Sequence, residues 1–118
     1  MNADTLRQLI ASCRKSRERV VGRPEMGLPS DWCPRKILNP EMPAGYYFTD
    51  ESAWDFIASK LEAGHSYEEI SLKTPPDGWA IVMNIQIAGY QRLLYVKVQV
   101  GKANRAIGRS FHISYVDK

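Results

Sequence analysis

Two stretches near the C-terminus, Leu93–Val100 and Ala106–Tyr115, alternate apolar and polar residues, the period of a strand with one buried and one wet face. The wet face carries Tyr95, Lys97, Ser110 and His112. Imidazole is the side chain whose unperturbed pKa lies near neutrality, a phenol can give up a proton, and an ammonium stabilises charge gathering on a phosphate. If the strands before them continue the same sheet, parity adds Lys73, Asn84 and Gln86 to that face. Metal-free RNA cleavage needs a base for the 2′-hydroxyl, an acid for the leaving 5′-oxygen and cations for the phosphate. His112 and Tyr95 suit the first two tasks and Lys73 and Lys97 the third, while the amides of Gln86 or Asn84 can hold a phosphate oxygen or a base edge. Arg92, in the turn before the first of the two stretches, is a further nucleic-acid contact. Arg109 shares the parity of Ile107 and Phe111, which buries its guanidinium unless a bulge at Gly108 turns it toward the site.

Each residue also has a plainer reading. His112 alone is equally an exposed strand histidine without a task, and Tyr95 alone is a cross-strand aromatic. His65, beside Gly64, is explained by contact with a helix C-terminus. Neither a nucleophile triad, a metal-ligand cluster nor a glycine-rich phosphate loop is legible. The 2′-hydroxyl is its own internal nucleophile, so the expected chemistry calls for no metal and no cofactor.

The elements that must position this face follow from the rest of the chain. At 118 residues, 44% hydrophobic and 25% charged, the sequence fits a single domain, 1–118, with an ordinary core. No apolar run is long enough to span a membrane and the N-terminus lacks the pattern of a signal peptide, so a cytoplasmic protein without membrane contact is expected. Cys13 and Cys33 read as free thiols, with one disulfide the alternative in an oxidising compartment. Charge is uneven: residues 1–23 hold six Lys/Arg against two acids, 24–90 four against ten, and 91–118 six against one. One positive face results, suited to a polyanion or an acidic partner.

A helix is expected over about 4–19, capped by Asp4, with Leu6, Leu9, Ile10 and Cys13 on one face and Arg7, Arg14, Lys15, Arg17 and Arg19 on the other. Those bases read either as a phosphate-binding surface or as a solvated helix face. Five of the seven prolines fall in an arm at 22–45, which is either a flap or an arm packed on the body. Thr49 opens a second helix over about 50–63, with Gly64 its stop. The sheet follows over 68–116, as four strands separated by turn signals at 74–78, 88–91 and 101–104. The expected architecture is α+β: a four-stranded antiparallel meander packed on one face by two N-terminal helices.

The segment Tyr95-Val96-Lys97-Val98, followed a dozen residues later by Ser110-Phe111-His112, resembles the last two strands of the MqsR-type toxins within the RelE-like bacterial toxin ribonucleases. That resemblance implies a RelE-like fold and an mRNA interferase that cuts messenger RNA without metal, in some cases on the ribosome, and is neutralised by an antitoxin protein. It matches Tyr95, places His112 where the family pattern has a lysine, and offers Lys73 and Gln86 as the nearest counterparts of an upstream lysine and glutamine. It covers about twenty residues closely and the element order from Thr49 onward loosely. The rival expectation is a non-catalytic interaction or RNA-binding module, such as a phage- or plasmid-type inhibitor, working through the basic surface.

Overall fold

The computed structural model describes residues 1–73 and 78–115. Helix α1 (Ala3–Cys13) begins at Asn2, whose side chain accepts from the Thr5 amide, so the cap is Asn2 and not Asp4. It ends six residues before the expected boundary. Beyond Cys13 the run Arg14–Arg19 has no apolar residue to bury, and Arg19 turns back to donate to the Cys13 carbonyl at 2.7 Å while lying over the Trp54 ring. Three of the five bases expected on this helix are paired with acids: Arg7 with Asp4, Arg14 with Glu62, Lys15 with Glu18. A pure phosphate-binding face is not what this helix presents.

Helix α2 (Asp50–Glu62) starts at a reciprocal cap in which the Thr49 hydroxyl accepts from the Ser52 amide at 3.0 Å and the Ser52 hydroxyl accepts from the Thr49 amide at 2.8 Å. Its buried stripe of Ala53, Trp54, Phe56, Ile57, Ala58 and Leu61 lies in one apolar core with Leu9 and Cys13 of α1 and the inner face of the sheet.

The sheet is larger than the expected meander. Strands β3 (Glu68–Ser71), β4 (Trp79–Ile85), β5 (Leu94–Val100) and β6 (Ala106–Ile113) run antiparallel to their neighbours, as the alternation requires. Two short strands from the N-terminal half, β1 (Arg19–Val21) and β2 (Asp31–Trp32), then add to the outer edge of β6, both parallel to it. The six-stranded sheet is therefore mixed, with order β1-β6-β5-β4-β3 and β2 also on β6. Ile81, Met83 and Ile85, Leu94, Val96 and Val98, and Phe111 point to the helices. The reverse face stays open to the polar residues, although Ala80 and Val82 on it are buried.

The proline-rich segment packs on the body through its first part, while residues 40–45 stay exposed. Trp32 lies 4.9 Å from Trp54 and 5.5 Å from Phe111, ring centroid to centroid, and Pro34 and Ile37 are buried. Its seat is Gly108: a Cβ there would come within 2.7 Å of the Trp32 ring, so only glycine leaves room for the indole over β6. Both cysteines are free, Cys13 buried in the core and Cys33 in the arm. No helix among the described residues is long and apolar enough to cross a membrane.

Candidate functional site

Register, not sequence distance, assembles the open face. Tyr95 of β5 pairs with His112 of β6 and, on its other side, with Asn84 of β4; Lys97 pairs with Ser110 and with Val82. Glu68 of β3 continues the second row through Val82. Paired side chains stand on the same face of a sheet. Tyr95 and His112 accordingly approach with ring centroids 5.4 Å apart.

Arg109 joins them through an irregularity. Lys97 pairs with Ser110 but Val98 with Gly108, so Arg109 is the extra residue of a β-bulge. The bulge sits where β6 leaves one parallel partner for the other: β1 pairs as far as Gly108 and β2 starts at Ser110. Arg109 Nη1 donates to Gln99 Oε1 at 2.6 Å, on the open face, and its Nε donates to the Pro29 carbonyl at 2.9 Å. The residue is only 7% exposed, and both partners are neutral. No carboxylate among the described residues pairs with it. Burial lowers its pKa, and burial together with the neighbouring Arg109 charge lowers that of Lys97. Lys97 itself makes no hydrogen bond or ion pair within the described residues. Two adjacent, partly desolvated cations thus share a face, and among the described residues no carboxylate pairs with either of them.

At the other end of the row, His112 is held by contacts that sequence reasoning missed. Its Nδ1 donates to the Ile113 carbonyl at 2.9 Å, which leaves Nε2 to accept or release a proton. That nitrogen lies 3.6 Å from a carboxylate oxygen of Asp31, and the ring stacks on Tyr115 at 4.3 Å between centroids. The Tyr115 hydroxyl donates to Asp31, a bond that holds the Asp31 carboxyl below its ordinary pKa and raises that of the Tyr115 phenol. Cys33 donates to the other Asp31 oxygen, and burial, then that carboxylate, push its thiol up. Tyr95 is raised by burial and secondarily by the Glu68 charge, so its phenol stays protonated and serves as a donor.

The expected site residues separate into two groups. Tyr95, Lys97, Asn84, His112 and Arg109 come together on one face. Gln86 is exposed one residue past the end of β4, on the side of Asn84, and Arg92 is exposed in the bend that precedes β5. Lys73 does not converge with them. It lies beyond Ser71, which pairs with Trp79, whereas Tyr95 pairs with Asn84; that offset along β4 is roughly 16 Å at ~3.3 Å per residue. The strand that was to carry Lys73 stops at Ser71, so this lysine is no partner of His112 in the arrangement seen. The turn at 74–77 lies outside the described residues. Asp31, by contrast, gave no signal in the sequence, since nothing in an arm rich in proline predicts pairing with β6.

Among the described residues, no three His, Cys, Asp or Glu side chains form a metal-binding group. The chain matches no protein-family model, no curated protein and no solved structure.

Proposed function

We propose that this chain is a metal-independent endoribonuclease of the RelE/MqsR toxin type, cutting messenger RNA by attack of a 2′-hydroxyl on the adjacent phosphate. The observation that carries the reading is the Lys97–Arg109 pair, two cations that no carboxylate pairs with among the described residues, one strand row from the Tyr95–His112 pair. A phosphate seated on those cations supplies the missing negative charge.

In this mechanism His112 Nε2 takes the proton from the 2′-hydroxyl as the O2′–P bond forms, and Asp31 stabilises the imidazolium that results. Tyr95 gives its proton to the 5′-oxygen as the P–O5′ bond breaks. Lys97 and Arg109 hold the phosphoryl oxygens, while Ser110 and Gln99 line the same face. The products are a 2′,3′-cyclic phosphate and a 5′-hydroxyl. Lys73 has no part in it, and Gln86, Asn84 and Arg92 contact the RNA on either side. A cytoplasmic setting, a neutralising antitoxin and action on the ribosome belong to the same proposal.

The test is cleavage of single-stranded RNA in EDTA, with the ends of the products identified. Cyclic phosphate ends are expected, with His112→Ala slower by about 10²–10⁴-fold and Tyr95→Phe reduced within the same range. Equal cutting of DNA, or cutting that EDTA abolishes, overturns the mechanism. A second reading is favoured by the exposed Met42 at the end of the arm and Tyr46 and Tyr47 directly after it, which suit a non-catalytic interaction module. It requires that His112→Ala retain the biological effect and that polar substitutions at Tyr46 and Tyr47 remove it.

A further inference from the structure

One depression on the open face lies outside the proton-transfer machinery. It measures about 180 Å³ and is lined by Ser66, Tyr67, Glu68, Val82 and Asn84. Its position is set by register: Val82 pairs with Lys97 and Asn84 with Tyr95, so it lies one strand spacing, ~4.8 Å, from Lys97, the nearer of the proposed phosphate cations. Val82 is 6% exposed and forms an apolar floor on which a flat ring can rest. Glu68 pairs with Val82, which makes Glu68 and Asn84 diagonal neighbours on one face, roughly 7–8 Å apart at the backbone. Neither side chain makes a hydrogen bond or ion pair within the described residues.

A carboxylate on a face otherwise suited to a polyanion is the feature to explain. It repels phosphate, so its use is with hydrogen-bond donors. The two groups together offer a donor from the Asn84 amide beside the two acceptor oxygens of Glu68. The complementary ligand edge carries one acceptor followed by two adjacent N–H donors. Among the four RNA bases only guanine has that edge, with O6, N1–H and N2–H side by side. Adenine, cytosine and uracil each put an acceptor where Glu68 needs a donor.

We infer that this depression is a guanine-binding subsite for the nucleotide next to the cleaved phosphate. The inference rests on the ribonuclease reading for its place in a substrate, but base binding itself is measurable without cleavage. The probes are guanosine, inosine, adenosine, cytidine and uridine 3′-monophosphates, titrated into the full chain by ¹H–¹⁵N NMR. Guanosine 3′-monophosphate is expected to shift the amides of Glu68, Val82 and Asn84 and to bind about tenfold or more tightly than the adenosine compound. Inosine, which lacks the N2 amine, falls between them. Glu68→Gln erases the preference, whereas Lys97→Ala weakens all five ligands alike. Glu68 is exposed, so its variant keeps the fold.

Equal binding of all five, or a guanine preference that survives Glu68→Gln, overturns the subsite. If guanine preference depends on Glu68 but RNA is not cut in EDTA, the subsite stands and the nuclease reading falls. If RNA is cut with no base preference traceable to Glu68, the nuclease reading stands and the subsite falls.

Discussion

Arg109 Nη1 meets Gln99 Oε1 at 2.6 Å across the β5–β6 bulge, so the one charged residue of β6 that strict alternation assigns to the core puts its charge on the open face. That charge is held by two neutral acceptors and sits beside Lys97, whose pKa burial and Arg109 together lower. A buried cation is tolerated when hydrogen-bonded but is better balanced by an anion.

Inorganic phosphate should therefore stabilise the protein. An anion that binds only the native state at about a hundred times its Kd adds ~2.7 kcal/mol, which thermal unfolding registers as a rise of several degrees in Tm over chloride at equal ionic strength. Lys97→Met with Arg109→Met should abolish the gain while leaving the protein at least as stable in its absence. Equal Tm values in phosphate and chloride for the parent chain refute the anion site.

The seat of Trp32 on Gly108 ties the arm to the site, because Asp31 is the neighbour of Trp32 in β2. Gly108→Ala is expected to cost about 1–3 kcal/mol in denaturant unfolding, as overpacking against a rigid ring does, and to lower RNA cleavage by displacing Asp31 from His112. Unchanged stability in this variant means that the indole does not pack there in solution.

Asp31 and Tyr115 make a pH-dependent contribution. The Tyr115 hydrogen bond lowers the Asp31 pKa in the folded chain, so the stability it brings is present above the unfolded value, near 3.8, and is lost as pH falls through the folded value. Tyr115→Phe should be less stable than the parent at neutral pH, with the difference vanishing in acid. A difference that persists undiminished below the carboxylate range points to lost stacking on His112 instead of the hydrogen bond.

At the other extreme of pH the group is Cys13, whose thiol burial pushes up to about 12 from 9.0. The folded chain keeps this proton where the unfolded chain releases it. The contribution is therefore complete below about 9 and declines as pH rises toward 12. Cys13→Ala should show a shallower loss of stability over that window. A thiol reagent at mildly alkaline pH should label Cys33 in the native protein and reach Cys13 only on unfolding; equally fast labelling of both refutes the burial of Cys13.

Much of the frame was legible because it obeys local periodicity. The alternation of Trp79 to Ile85 and of Leu94 to Val100 dictates which residues face a core, and Thr49 with Ser52 marks the start of α2 through atoms three residues apart. That Tyr95, Lys97 and His112 share a face follows from the same period of two. What eluded such reasoning is what short segments acquire only from a partner. Arg19–Val21 and Asp31–Trp32 are too brief to show any period and become strands because β6 offers them an edge. Lys73 missed the site because β3 ends before it and because Glu69 and Ser71, which share its parity, pair with Ile81 and Trp79 on the helix-facing side, the reverse of the expected parity.

The sequence by itself thus determined the antiparallel core of the sheet, the second helix and the polar character of one face, since each depends on side chains a few positions apart. Tertiary structure alone decided that Arg109 turns outward, that Asp31 reaches His112, that Tyr115 stacks on it, and that Glu68 stands beside Asn84. The reason is physical: a bulge adds one residue and so shifts the parity of all those beyond it, and a parallel edge strand brings together groups whose separation along the chain carries no periodic trace.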